Sequence, residues 1–212
     1  MTVSCRYRIL NIPITTSKCY INCLGKREIQ KKGIGKHRFA QVGPQFPTFD
    51  QNLYQLKLQF WSIGKAHENY IKEGVELFTK RISNYYPVEW TIIPTPKNAA
   101  MLSEMDLRKR EGETILGFLQ KTDHLVLLDE RGQQVSCEGL AQFLQARANA
   151  STQRLIFLIG GAYGVSEAVQ KRADFTWSLS KLVFPHQLVR LVLAEQLYRA
   201  CTINRNEKYH HS

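Results

Sequence analysis

Cysteine is scarce in this chain of 212 residues, and poorly arranged for chemistry. The five cysteines are Cys5, Cys19, Cys23, Cys137 and Cys201, an odd number with no CxxC pair. Cys19 and Cys23 are spaced CxxxC with only His37 nearby, too few ligands for a tetrahedral zinc site. Neither a disulfide framework nor a bound metal is expected; reduced thiols in a cytosolic protein are. No run approaches the ~18–20 apolar residues of a membrane span, and no apolar stretch precedes a small-residue cleavage site. The expectation is a cytoplasmic protein with no membrane partner. The dinucleotide fingerprint is missing too. The glycines of IGGAYG stand at 160, 161 and 164, not in GxGxxG spacing, and no acidic residue follows about 20 positions on, which disfavours a nicotinamide oxidoreductase.

Acidic residues are outnumbered. The chain has 18 Asp and Glu against 29 Lys and Arg, a formal net charge of +11. Such a balance favours a polyanionic partner, most simply nucleic acid. The excess is uneven: residues 1–55 hold nine Lys/Arg and two Asp/Glu, whereas residues 56–212 hold 20 and 16. The first stretch shows neither period 2 nor period 3.6. It reads as an N-terminal extension, disordered or created by a mis-assigned start, since regular structure begins abruptly at Leu56-Lys57-Leu58 and leucine codons can serve as starts. A basic RNA-binding arm and a targeting peptide are the alternatives.

From Leu56 the pattern is regular. LKLQFWSIG, VEWTIIP, HLVLLDE, RLIFLIGG and FTWSLS read as strands. Between them, HENYIKEGVELFTKRI carries an apolar stripe at Ile71, Val75, Phe78 and Ile82. SEMDLRKREGETILGFL opens with Ser103 and Asp106 in a capping arrangement. SCEGLAQFLQARA and VSEAVQKRA are further helices, and a last one runs from about Pro185 to Ile203, with Pro185 suited to the first helical position. Strict alternation of strand and helix specifies an α/β domain over 56–212, a mostly parallel sheet flanked by helices. Ligands of such sheets bind at the carboxyl ends of strands. Three of those ends are unusual: Leu128-Asp129-Glu130, Ile159-Gly160-Gly161 and Ser178-Leu179-Ser180.

After Trp177 the chain should enter a polar loop, yet Leu182, Val183 and Phe184 stay apolar. A wall for a flat aromatic ligand explains this, and so does burial under a neighbouring element. His186 and Arg190, at i and i+4, share a helix face. The helix body LVRLVLAEQLYRA is apolar nearly all round, so its second face is expected against another subunit, making a homodimer. Glu195 and Arg199 read as an intrahelical ion pair. The tail NRNEKYHHS combines cations and aromatics able to meet phosphate and bases, or is a frayed terminus.

Taken together, LLDERGQQVSCEGLA, LIFLIGGAYGV, WSLSKLVFPHQLVRLVLAEQLYRA and NEKYHHS resemble the ribosomal RNA large subunit methyltransferase H family (RlmH) of the SPOUT superfamily, over residues 57–212. The resemblance implies a C-terminal deep trefoil knot, which no sequence pattern would predict. It implies an obligate homodimer binding S-adenosylmethionine, and methylation of N3 of a pseudouridine in the large-subunit (23S) rRNA of the assembled ribosome. Carried over by position, the cofactor site is Leu128, Gly160, Leu179, Ser180, Lys181, Leu182, Val183 and Phe184. His186 is the candidate proton acceptor and Arg190 the candidate cation for the anionic base. Arg205, Lys208, Tyr209 and His210 are the candidate RNA contacts. A SPOUT methyltransferase of tRNA and a non-catalytic ribosome-binding factor are the rival functions.

Overall fold

The computed structural model describes residues 56–209; the expected extension at 1–55 and the tail residue His210 lie outside the described residues. Five strands follow one another with helices between: β1 (Lys57–Ile63), α1 (Asn69–Ile82), β2 (Val88–Ile93), α2 (Glu104–Phe118), β3 (His124–Gln133), α3 (Cys137–Asn149), β4 (Arg154–Ile159), α4 (Glu167–Arg172), β5 (Phe175–Trp177) and α5 (His186–Asn204). A short 3-10 turn at Ala99–Met101 precedes α2. The sheet order is β2-β1-β4-β3-β5, and every neighbouring pair is parallel.

Serines set three of the helix starts. The hydroxyls of Ser103, Ser136 and Ser166 accept from the backbone N–H groups of Asp106, Gly139 and Val169, satisfying donors that a first turn leaves orphaned. Pro185 sits one position earlier than expected. It is the N-cap of α5, with ψ at 137°, because its ring fixes φ while the preceding loop still runs extended.

The period of two along each strand divides the core. Leu155, Phe157 and Ile159 of β4 face one side with Leu58, Phe60 and Val126, packed under α3 and α5. Ile156 and Leu158 face the other with Trp61, Leu125 and Leu127, covered by Ile115 of α2 and Val169 of α4. The central strands are therefore buried on both faces, which is why they read as continuous apolar runs. Of the α1 stripe, Ile71, Val75 and Ile82 are buried, while Phe78 packs its ring 5.9 Å from that of Tyr198 on α5.

β3 runs longer than HLVLLDE. It pairs with β5 from Val126↔Phe175 to Leu128↔Trp177, then shifts register so that Gln133 also pairs with Trp177. The bulge carries Asp129 to Gly132 away from the sheet plane. Glycine is required at 132 because a Cβ there would stand 2.6 Å from the Thr176 carbonyl oxygen. α5 has no fully exposed position from 186 to 204, a poor match to a surface helix, whose outer face is normally wet.

Phe157 is fully buried between Phe60 and Trp177, with ring centroids 6.0 and 6.1 Å away. Phe157→Ala is expected to cost about 3–5 kcal/mol of stability in denaturant titration. Met101→Ala, at a side chain 90% exposed, is expected to change it by less than about 0.5 kcal/mol. Equal effects would show that the core is not centred on β4.

Candidate functional site

The parallel sheet brings the ends of β3, β4 and β5 to one edge, and a cleft of about 430 Å³ opens there. Leu128, Gly160, Leu179, Ser180, Leu182, Val183 and Phe184 line it, together with His186 at the start of α5. Its size lies within the usual range of small-molecule sites, which are mostly apolar with a few convergent polar groups. Lys181 alone of the cofactor candidates turns away from it. Its ammonium donates to the carbonyl oxygens of Glu130 and Gly132, 3.0 Å each.

Local bonds shape the loop after β5. The Ser178 N–H donates to the Gln133 carbonyl at 2.9 Å. The Ser178 hydroxyl donates to the Ser180 carbonyl, and the Ser180 hydroxyl accepts from the Leu182 N–H, both at 2.9 Å. These serine turns hold residues 178–182 without a helix or ladder. Leu182 and Val183 are 71% and 83% exposed, so the loop presents apolar side chains along the mouth of the cleft rather than burying them. The opposite lip holds Arg131, bonded to both oxygens of Asp129 at 2.9 and 2.7 Å. That bond, first among the causes, keeps the Asp129 carboxyl below its usual range.

His186 and Arg190 share a helix face but not a cavity. Arg190 does not line the cleft: it is 1% exposed and reaches under the end of β1. There its Nε donates to the Ser62 hydroxyl at 3.0 Å and one terminal nitrogen donates to the Gln187 side-chain oxygen at 3.3 Å. The same nitrogen lies 3.3 Å from His67 Nδ1. Burial lowers the pKa of Arg190, opposed by the charge of Glu68. Burial also lowers that of His186, with the charge of Arg190 adding to it, and a bond to the Gly160 backbone pulls the other way. The imidazole is therefore held below the 6.5 of the free group and is neutral at physiological pH, the form that accepts a proton.

The tail is folded back on α5. The Tyr209 hydroxyl donates to Glu195 at 3.2 Å, its ring lies 4.7 Å from that of Tyr198, and the Arg199 guanidinium sits over it at 4.9 Å. Glu195 and Arg199 pair as their spacing predicts. Arg205 and Lys208 are exposed beside them. Sequence reasoning missed two contributors from α2. Arg108 lines the cleft, and the buried Glu111 backs onto its glycine turn. The signal was present: Leu107, Glu111 and Ile115 recur every fourth residue, placing a carboxyl in an apolar stripe.

Residues 56–210 match a family model described as Predicted SPOUT methyltransferase. The chain belongs to the SPOUT methyltransferase family. Among curated relatives, "Ribosomal RNA large subunit methyltransferase H" of Cytophaga hutchinsonii is 49% identical over 156 residues, covering 74% of this chain and 100% of the relative. The protein of the same name from Christiangramia forsetii is 47% identical over 149 residues, covering 70% and 95%. That from Geotalea daltonii is 42% identical over 156 residues, covering 74% and 100%.

SPOUT methyltransferases use S-adenosylmethionine, and the cleft fits that ligand on its own geometry. Apolar side chains flank room for a flat base, and the N–H groups of Leu179 and Phe184 meet no acceptor among the described residues, leaving them free for a ring edge. If Lys181 pins this loop to the β3 bulge, Lys181→Met is expected to speed amide exchange at Ser178 and Leu182 while leaving the β4 amides unchanged. Unaltered exchange at both residues would exclude the pinning role.

Proposed function

We propose that this SPOUT domain methylates N3 of a pseudouridine in large-subunit ribosomal RNA, with S-adenosylmethionine as donor. The carrying observation is a cleft at three strand ends with a neutral imidazole at its wall, in a domain that spans the full length of relatives named for ribosomal RNA methylation. The residues Leu128, Gly160, Leu179, Ser180, Leu182, Val183 and Phe184 would hold the donor, and Lys181 supports their loop from outside. When bound, the donor supplies an electrophilic methyl on sulfur. Positioning of nucleophile and methyl can then provide most of the rate.

His186 accepts the imide proton from N3 as the ring nitrogen becomes nucleophilic. Arg190, sealed beneath β1, acts through His186: its charge adds to burial in lowering the imidazole's pKa. This replaces the direct contact between Arg190 and an anionic base that the shared helix face suggested. Family membership implies the deep trefoil knot, and the loop at 178–184 crossing the β3 bulge is where we place its closure. The uncovered apolar residues Leu182 and Val183 and the half-buried outer face of α5 support a homodimer. In that dimer Arg205, Lys208, Tyr209 and His210 would serve the partner's cleft as RNA contacts. The domain itself is residues 56–212, whose formal charge of +4 gives modest general affinity for RNA. Recognition of the assembled ribosome by shape follows, in the cytoplasm.

The direct test supplies methyl-labelled donor with ribosomes or tRNA and identifies the product nucleoside by mass spectrometry. Label in N3-methylpseudouridine of the large subunit is expected. Label in tRNA alone would favour the tRNA enzyme, and bound donor with no transfer would favour a non-catalytic factor.

The pH profile tests the roles of the two side chains. Because only deprotonated His186 accepts the proton and its pKa lies below 6.5, kcat should be full at neutral pH and fall on the acid side. Removing a positive charge lets that pKa rise, so Arg190→Gln should move the acid limb to higher pH, and Arg190→Lys less. His186→Ala should lower kcat by about 100-fold or more. An acid limb that stays in place in Arg190→Gln would refute the coupling.

A further inference from the structure

Among the described residues, Glu111 is the one buried carboxyl beside the cleft that the proposed chemistry leaves unused. It lies on the inner face of α2, 5% exposed, between Leu107 and Ile115 of the same stripe. Among the described residues no hydrogen bond or ion pair reaches it, and its oxygens are not among the fully enclosed unpartnered atoms, so the carboxyl keeps a narrow contact with solvent. Burial pushes its pKa up, and no cation contributes. Buried carboxyls ordinarily have bonds or counter-charges, because stripping a charge of water is costly. A purely architectural glutamate would be expected to accept from the glycine-turn amides above it, and this one does not.

Its position is specific. A Cβ added to Gly161 would collide with Glu111 Oε2, and would stand 3.2 Å from Cδ and 3.3 Å from Oε1. The carboxyl therefore occupies the space beneath the turn that a side chain at 161 would need. Gly161 itself lines the cleft, as does Arg108 one turn earlier on α2. With no side chain at Gly161, the carboxyl packs against the backbone of a residue that itself lines the cleft. A unit charge in a protein wall is felt more strongly than the same charge in water.

We infer that Glu111 supplies the counter-charge to the sulfonium of the bound donor and so distinguishes the donor from its demethylated product. The inference rests on the cofactor reading above. In the reaction the methyl leaves sulfur with no electrons of the C–S bond and joins N3, the N3 proton goes to His186, and sulfur keeps the bonding pair as a neutral thioether. Glu111 then faces a ligand one charge less positive, and its attraction for that ligand weakens. Reactant is held and product is loosened by one carboxyl, without any movement of the chain.

Calorimetric titration of the full-length protein with S-adenosylmethionine, S-adenosylhomocysteine and sinefungin tests this. Sinefungin carries an amine-bearing carbon in place of the sulfonium and is cationic there. In Glu111→Gln, which preserves shape and removes the charge, affinity for S-adenosylmethionine and sinefungin should fall about tenfold. Affinity for S-adenosylhomocysteine should change less than about twofold. The melting temperature should hold or rise, since an acid whose charged form burial disfavours is removed. Equal losses for all three ligands, or no loss for any, would overturn the inference and leave the cofactor reading intact. Wild-type protein that binds none of the three would overturn the cofactor reading, and this inference with it.

Discussion

The ammonium of Lys181 sits between the carbonyl oxygens of Glu130 and Gly132, and the shape of the cleft depends on that junction. The loop from Ser178 to Phe184 has no ladder of its own. It keeps its course because β3 overruns the sheet, bulges at Asp129 to Gly132, and offers backbone carbonyls to a cation and to the Ser178 N–H. Only a glycine at 132 allows β3 to pass so close to Thr176. Remove that approach and the loop would lose both its anchors. The apolar row of Leu182, Val183 and Phe184 would then have no reason to stand at the mouth of a pocket.

Electrostatics in the site follow from the same packing. Arg190 is buried by α5 against the end of β1, hydrogen-bonded to neutral groups rather than paired with a carboxylate. Burial first, and then the field of Arg190 one turn away, lower the pKa of His186. At the glycine turn, burial raises the pKa of Glu111, and no ion pair holds its carboxyl among the described residues. A neutral base thus stands beside Gly160 and an acid without an ion-pair partner beside Gly161. Such perturbed groups gathered at strand ends mark functional sites more often than structural ones.

Much of the architecture was legible because its signals are local. Continuous apolar runs mark strands buried twice over, as at Leu155–Ile159, and serines mark helix starts, as at Ser103, Ser136 and Ser166. The three unusual strand ends also converge as expected, since all neighbours in the sheet are parallel. Where the reading fell short, the cause was distant in sequence. The overrun of β3 depends on pairing with Trp177, and the extended N-cap at Pro185 on the loop before it. Sharing a helix face with His186 said nothing about where the longer Arg190 side chain would go, and Ser62, 128 residues away, captured it. Glu111 broke an apolar stripe visibly, but its neighbour Gly161 lies on another element.

By itself the order of residues determined the elements, their faces and the family, because periodicity, caps and turn chemistry act over a few neighbours and long motifs carry kinship. The tertiary structure alone decided which charges meet. It put Lys181 on the β3 carbonyls, Arg190 under β1, and Glu111 behind the glycine turn, since desolvation and Coulomb interaction depend on distance through space, and the chain folds residues from 49 to 128 positions apart into contact.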